Sequence, residues 1–150
     1  MTLPESPTSW SLADLFPSHD SPEMKKALGD LDTLVAEFET LRPQLSPGIS
    51  VPAFLDLVRR VEVIYHLGNR VSGFAGLAFS ANTQDPAIQT FMGNVDQILA
   101  VIQNRLLFFS LWWKDLEEVA AARLMDASGD YRYWLEEMRH FKPYTLSEPE

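Results

Sequence analysis

A chain of 150 residues is the usual size of one domain, and at that length folding buries ~70% of the surface that the unfolded chain exposes, enough for a core without staples. Hydrophobic residues at 46% and charged residues at 22% are ordinary globular values and argue against wholesale disorder, while the lack of cysteine excludes disulfides and thiolate metal sites and suits a reducing compartment. The net charge is −9, with Lys25-Lys26 and Arg59-Arg60 the only adjacent basic pairs, so nucleic acid is a poor partner: phosphate binding needs clustered cations.

Residues 1–20 hold no lysine, no arginine and no long apolar run, and Pro4, Pro7 and Pro17 interrupt them. They do not read as a signal peptide. No apolar stretch anywhere approaches the ~20 residues that span a bilayer, so a soluble, cytoplasmic protein with no membrane partner is expected. The segment reads as an extended arm pinned by Trp10, Leu12, Leu15 and Phe16. Ser11 with Asp14 starts a single helical turn that Pro17 stops.

A helical domain over residues 21–142 follows. In its first helix Ser21 is the N-cap, Pro22 sits where a missing N–H costs nothing, and Glu23 faces the dipole. Met24, Ala27, Leu28, Leu31, Leu34, Val35, Phe38 and Leu41 recur at helical spacing up to Pro43. Residues 43–50 form a loop around Pro47-Gly48. The second helix starts at Ser50 and Pro52 and buries Leu55, Val58, Val61, Tyr65, Val71 and Ala75, running to about Ser80. Gly68, Ser72, Gly76 and Ser80 line one side at four-residue intervals. Each mid-helix glycine costs ~1 kcal/mol against alanine. Close approach of another helix is the expected compensation, and a face bared for a peptide backbone is the alternative.

The turn Asn82-Thr83-Gln84 leads to a third helix capped by Asp85 and opened by Pro86. Its seam is Ile88, Phe91, Val95, Ile98, Leu99, Ile102, Leu106 and Phe109. A short turn between two long seams predicts an antiparallel hairpin. A single helix from Pro86 to Ala127 would be roughly 60 Å long at ~1.5 Å per residue. A compact domain of this size is only about 40 Å across, from a radius of gyration of ~15 Å. A break is therefore expected, and the helix-start pattern Asp115 to Glu118 puts it near Lys114. The fourth helix carries Leu116, Val119, Ala120 and Leu124 and stops at Ser128-Gly129. The fifth starts at Asp130 with Tyr131, Trp134, Leu135, Met138 and Phe141 on one face and Arg139, His140 and Lys142 at the dipole-matched end. Pro143 terminates it.

The fold class is thus all-α, an antiparallel bundle of about five helices around a long central hairpin. Residues 143–150 read as the start of a linker. Ser147-Glu148-Pro149-Glu150 is a capping box announcing a helix beyond the last residue, so the chain is expected to be part of something longer.

Chemistry is sparse. His19, His66 and His140 are scattered, and no His-Glu-x-x-His exists to hold zinc. Glu137 and His140 form one Glu-x-x-His, but a di-iron bundle needs a second copy and two further inward glutamates. Its plain reading is a solvated link near a helix end. Glu62 and His66, four apart on the second helix, are most simply a side-chain pair. Glu117-Glu118 and Glu136-Glu137 diverge by about 100° on a helix, so neither is a carboxylate dyad. There is no Gly-x-Ser-x-Gly and no glycine-rich phosphate loop. Trp112 and Trp113 cannot both face one core on a helix. One is exposed as a contact surface, or the pair straddles the break.

Other features carry a resemblance. Trp10-x-Leu12-x-x-Leu15-Phe16-Pro17, Phe74-Ala75-x-Leu77, Thr83-x-Asp85, Phe108-Phe109, and the run Tyr133-x-Leu135, Arg139, Lys142-Pro143-Tyr144-x-Leu146-Ser147-x-x-Glu150 are similar, in order and spacing, to the amino-terminal helical domain of oligoendopeptidase F. That family consists of zinc metallopeptidases of the thimet oligopeptidase group. The resemblance implies a parent enzyme that hydrolyses short peptides inside a mostly helical, channelled body, in which one zinc polarises the scissile carbonyl and a glutamate activates water. The family's His-Glu-x-x-His and downstream glutamate ligand are not in this chain. No catalytic, cofactor-binding or metal residue is therefore assigned to any position here, and zinc is expected only in the full-length parent. The partners implied are a carboxy-terminal peptidase domain of the same chain and short peptide substrates, with this segment in the wall of the channel. The alternative is a stand-alone helical module that binds a partner helix in an apolar groove.

Overall fold

The computed structural model describes residues 11–141, and these are helical with no strand among them. Five α-helices occur: α1 Pro22–Glu39, α2 Val51–Ala81, α3 Pro86–Asp115, α4 Glu118–Asp126 and α5 Arg132–His140. Single 3-10 turns at Arg42–Gln44 and Gly129–Tyr131 join α1 to α2 and α4 to α5. The expected caps form. Ser21 Oγ accepts from Met24 N, Ser50 Oγ from Ala53 N and Asp85 Oδ1 from Ala87 N, each with proline in the first turn. Those bonds satisfy orphan donors that a helix start otherwise leaves to water.

Three contacts fix the direction of the central hairpin. Phe54 stacks on Trp113 at 5.1 Å between centroids, Gly68 faces Leu99, and Phe74 meets Phe91 edge-on at 6.1 Å. Ascending positions on α2 match descending ones on α3, so the two run antiparallel. Phe38 packs on Phe108 and Phe109, and Asp32 pairs with Arg105, so α1 runs alongside α3 in the same sense. α1 thus closes the hairpin into a three-helix layer, and Met24, Leu31, Val35, Phe38, Phe54, Leu57, Ile64 and Val71 fill it.

The chain leaves α3 at Leu116 and re-enters a helix with Glu117 as the N-cap. Asp115 is therefore the last residue of α3 rather than a cap. The corner lies at the buried Leu116, whose side chain joins Trp113 in the core, and burial of that pair outweighs the local start signal. Both tryptophans precede the break. Trp113 is fully buried and Trp112 half-buried against Phe54 and Phe109.

Both stripes hold in the main, with Val58, Val61, Val71 and Ala75 on α2 and Leu116 and Leu124 at α4 buried as expected, but each has one residue out of place. On α2 the buried set includes Phe54, Leu57, Ile64 and Phe74, whereas Tyr65 is 43% exposed. On α4 the buried residues are Ala121 and Leu124, and Val119 is 84% exposed. The glycine side of α2 is also looser than close packing requires. A methyl added at Gly68 would meet Leu99 Cδ2 at 3.5 Å, an ordinary contact, and one added at Gly76 would meet nothing within 4 Å.

The arm ends in the single turn expected of it, Leu12 O accepting from the N–H groups of Leu15 and Phe16. Phe16 is buried edge-on against Phe74, and the Arg70 guanidinium covers its ring at 4.5 Å while donating to Leu15 O at 2.6 Å. Trp10 and residues 142–150, with the expected linker and capping box, lie outside the described residues. Among the described residues no helix is long and apolar enough to cross a membrane.

Candidate functional site

The short α5 is held against the end of α3 by two residues. Trp113 Nε1 donates to Leu135 O at 2.9 Å. In return Arg139 donates to Trp113 O at 2.6 Å, places its guanidinium over the indole at 5.6 Å, and pairs with Glu118. The turn before α5 needs Gly129, whose φ of +54° lies in the left-handed region where a side chain is strained. With α5 fixed in this way, Tyr131, Trp134 and Met138 stand opposite α2.

Between them runs a groove of about 330 Å³ lined by Val58, Glu62, Tyr65, His66 and Asn69 of α2 and by Tyr131 and Trp134. The α2 contributors recur at three- and four-residue steps, which places them on one helical face. A smaller recess of about 140 Å³ shares Tyr65 and Trp134 and reaches Leu106, Phe109 and Ser110 of α3 and Met138 of α5. The lining combines Val58, Trp134 and two tyrosine rings with Glu62, His66 and Asn69, an arrangement that suits a small ligand.

One bond organises the wall. Tyr131 O–H donates to Glu62 Oε2 at 2.7 Å across 69 positions of sequence. That bond to the carboxylate is the main reason the Tyr131 phenol is raised above its ordinary value of 10.0, and desolvation adds to it. Tyr65 is raised as well, by burial alone, since a phenolate is poorly hydrated there. Glu62 Oε1 has no hydrogen-bond partner among the described residues. Neither does any residue lining this groove belong to the lysines or arginines.

The pair Glu62 and His66 therefore does meet in one place, but the partner of Glu62 is Tyr131. The sequence signal for this contact is weak, because nothing in spacing links positions 62 and 131. Tyr65 shows the near miss: it was expected in the core stripe and sits at its edge. His19 packs near Phe91 and His140 near Phe141, on elements other than that of His66. Glu118 pairs with Arg139 and Glu136 with Arg132, so one glutamate of each adjacent pair is taken up by an arginine. Among the described residues no group of three or more His, Cys, Asp or Glu side chains could hold a metal ion.

No protein-family model, curated protein or solved structure matches this chain.

Proposed function

We propose that this chain is the amino-terminal helical domain of an oligoendopeptidase F-like zinc metallopeptidase that hydrolyses short peptides, and that it forms part of the wall of the substrate channel. The observation that carries the reading is a division of labour among the residues of the resemblance. Most of them are joints of the bundle. Phe74 links Phe16 to Phe91, Asp85 caps α3, Phe108 and Phe109 seat Phe38, and Leu135 and Arg139 lock α5. Of its large apolar side chains two do no such work: Leu77 and Tyr133 are 51% and 72% exposed. Large apolar side chains that belong to a motif yet stay bare suit burial against a further domain. Zinc and the hydrolytic step belong, on this reading, to that peptidase domain, and no step is assigned to residues described above.

Two measurements test it. The encoding frame, read past Glu150, is expected to contain His-Glu-x-x-His followed by a glutamate ligand. Leu77→Asp and Tyr133→Asp are expected to leave the stability of the 150-residue chain within about 0.5 kcal/mol but to lower the melting temperature or activity of the longer protein. A frame without the motif, or equal effects in both contexts, refutes the reading.

A second reading, a stand-alone module for a partner helix, draws on the groove of about 370 Å³ between α1 and α3, lined by Leu28, Ile98, Val101 and Ile102 with Asp32, Gln97 and Arg105 at its edge. Val101 is half exposed there, as an anchor for helix-in-groove binding would be. A frame that stops at Glu150 favours it.

A further inference from the structure

We infer that the groove between α2 and α5 is a binding site for an organic cation, an ammonium or guanidinium group held among the rings of Tyr65, Tyr131 and Trp134 and against the carboxylate of Glu62. The inference does not depend on the peptidase reading, because the groove is built entirely within this chain.

Charge selects the ligand. The wall holds one carboxylate and no lysine or arginine, so an anion would meet repulsion from Glu62. A neutral apolar ligand would strip water from Glu62 Oε1 without replacing the lost hydrogen bond, which is costly. A cation satisfies that oxygen. It also gains from aromatic rings, whose negative faces attract ammonium and guanidinium groups. Beyond the wall, Arg59 and Asp130 act on Tyr131 with opposite sign, so Glu62 sets the local charge. The whole chain, at −9, draws cations toward it.

The site is also preorganised. Tyr131 holds Glu62 Oε2 at 2.7 Å, and α5 carries Trp134 on a helix whose position is locked by the Trp113 and Arg139 bonds. Little side-chain freedom then remains to be lost on binding. The volume of about 330 Å³ takes the end of a lysine or arginine side chain or a small quaternary ammonium ion. Asn69 and His66 remain at the wall to accept or donate to whatever flanks the cation.

The test is an NMR titration of the 150-residue chain that follows the indole N–H of Trp134. The probes are tetramethylammonium, N-acetyl-lysine methylamide and the neutral isostere N-acetyl-norleucine methylamide. Both cations are expected to shift that resonance saturably, with the norleucine probe binding at least about tenfold more weakly. Glu62→Gln keeps an acceptor for Tyr131 and removes the charge. It is expected to weaken both cations about tenfold and leave the norleucine probe unchanged. Trp134→Leu, checked for native circular dichroism and followed through the backbone amides of Glu62 and Tyr65, is expected to weaken them as well. Tighter binding of the lysine probe than of tetramethylammonium assigns the site to a peptide side chain, and the reverse order to a small ammonium ion. Equal binding of lysine and norleucine probes, full affinity in Glu62→Gln, or shifts confined to Trp112 and Trp113 would overturn the inference.

Discussion

At position 113 the indole is fully buried, stacks on Phe54 at 5.1 Å, and gives its N–H to a carbonyl of α5. Trp113→Phe keeps a ring but removes volume and the bond to Leu135 O. A destabilisation of ~2 kcal/mol is expected from the partial cavity and the lost hydrogen bond together, measured by urea unfolding. A change below about 0.5 kcal/mol would mean that α5 is held by other contacts. The neighbouring Trp112 is half-buried, so the doublet divides between core and edge. Its spacing predicts that division but not which ring goes inward, because the choice depends on the corner at Leu116.

A second residue-scale test lies in the ion cluster of Arg105, Asp32 and Glu39. Arg105 grips Glu39 with two bonds, Nε to Oε1 at 3.0 Å and a terminal nitrogen to Oε2 at 2.7 Å. The hydrogen bond from Arg105 holds the Glu39 carboxyl below its ordinary value of 4.5. A lowered folded value means that the stabilisation is fully present above pH 4.5 and is lost as pH falls through the folded value. The Glu39 side chain is 39% exposed, so solvent screening limits the pair to roughly 0.5–1 kcal/mol. Glu39→Gln is therefore expected to be less stable than the parent chain at neutral pH and to match it in strong acid. A difference that persists in strong acid contradicts this account.

At the scale of the element, the helices were legible because their punctuation is strong. Ser21-Pro22, Ser50-x-Pro52 and Asp85-Pro86 each combine a side-chain acceptor with a proline that has no N–H to satisfy, and each begins a helix. The break after α3 was legible from length, and its place near Lys114 from the Asp115 to Glu118 pattern, but the cap residue, Glu117, was not. Local chemistry favoured Asp115 as a cap, and burial of Leu116 moved the corner onward. Val119 failed for a similar reason: one valine on a short helix carries little periodic signal, and Ala121 and Leu124 face inward instead. The glycine side of α2 is the clearest mismatch between propensity and packing. Gly76 has free space around its missing side chain, so Gly76→Ala is expected to raise stability by ~1 kcal/mol through helix propensity, read from thermal or urea unfolding. A loss of stability there would reveal a close neighbour of Gly76 in solution.

On the scale of the whole molecule, the bundle follows from amphipathic spacing and short connections, whereas the groove depends on where α5 comes to rest. That placement rests on Trp113 and Arg139, contacts separated by more than twenty positions and without a sequence spacing of their own. Glu62 was visible as one half of a helical pair with His66, but the Tyr131 hydroxyl could be assigned to it only from the folded chain. The acidic balance, by contrast, was readable at once and agrees in sign with the cation site.

The most direct measurement of the proposal that these helices form the wall of a peptidase channel and leave bond cleavage to a separate peptidase domain is hydrolysis of a series of fluorogenic peptides of increasing length in the presence of zinc. The 150-residue chain is expected to give no turnover above buffer, and the longer protein to cleave short members of the series in a zinc-dependent way. Turnover by the 150-residue chain that survives repurification and disappears in Glu62→Gln or His66→Ala would contradict the claim.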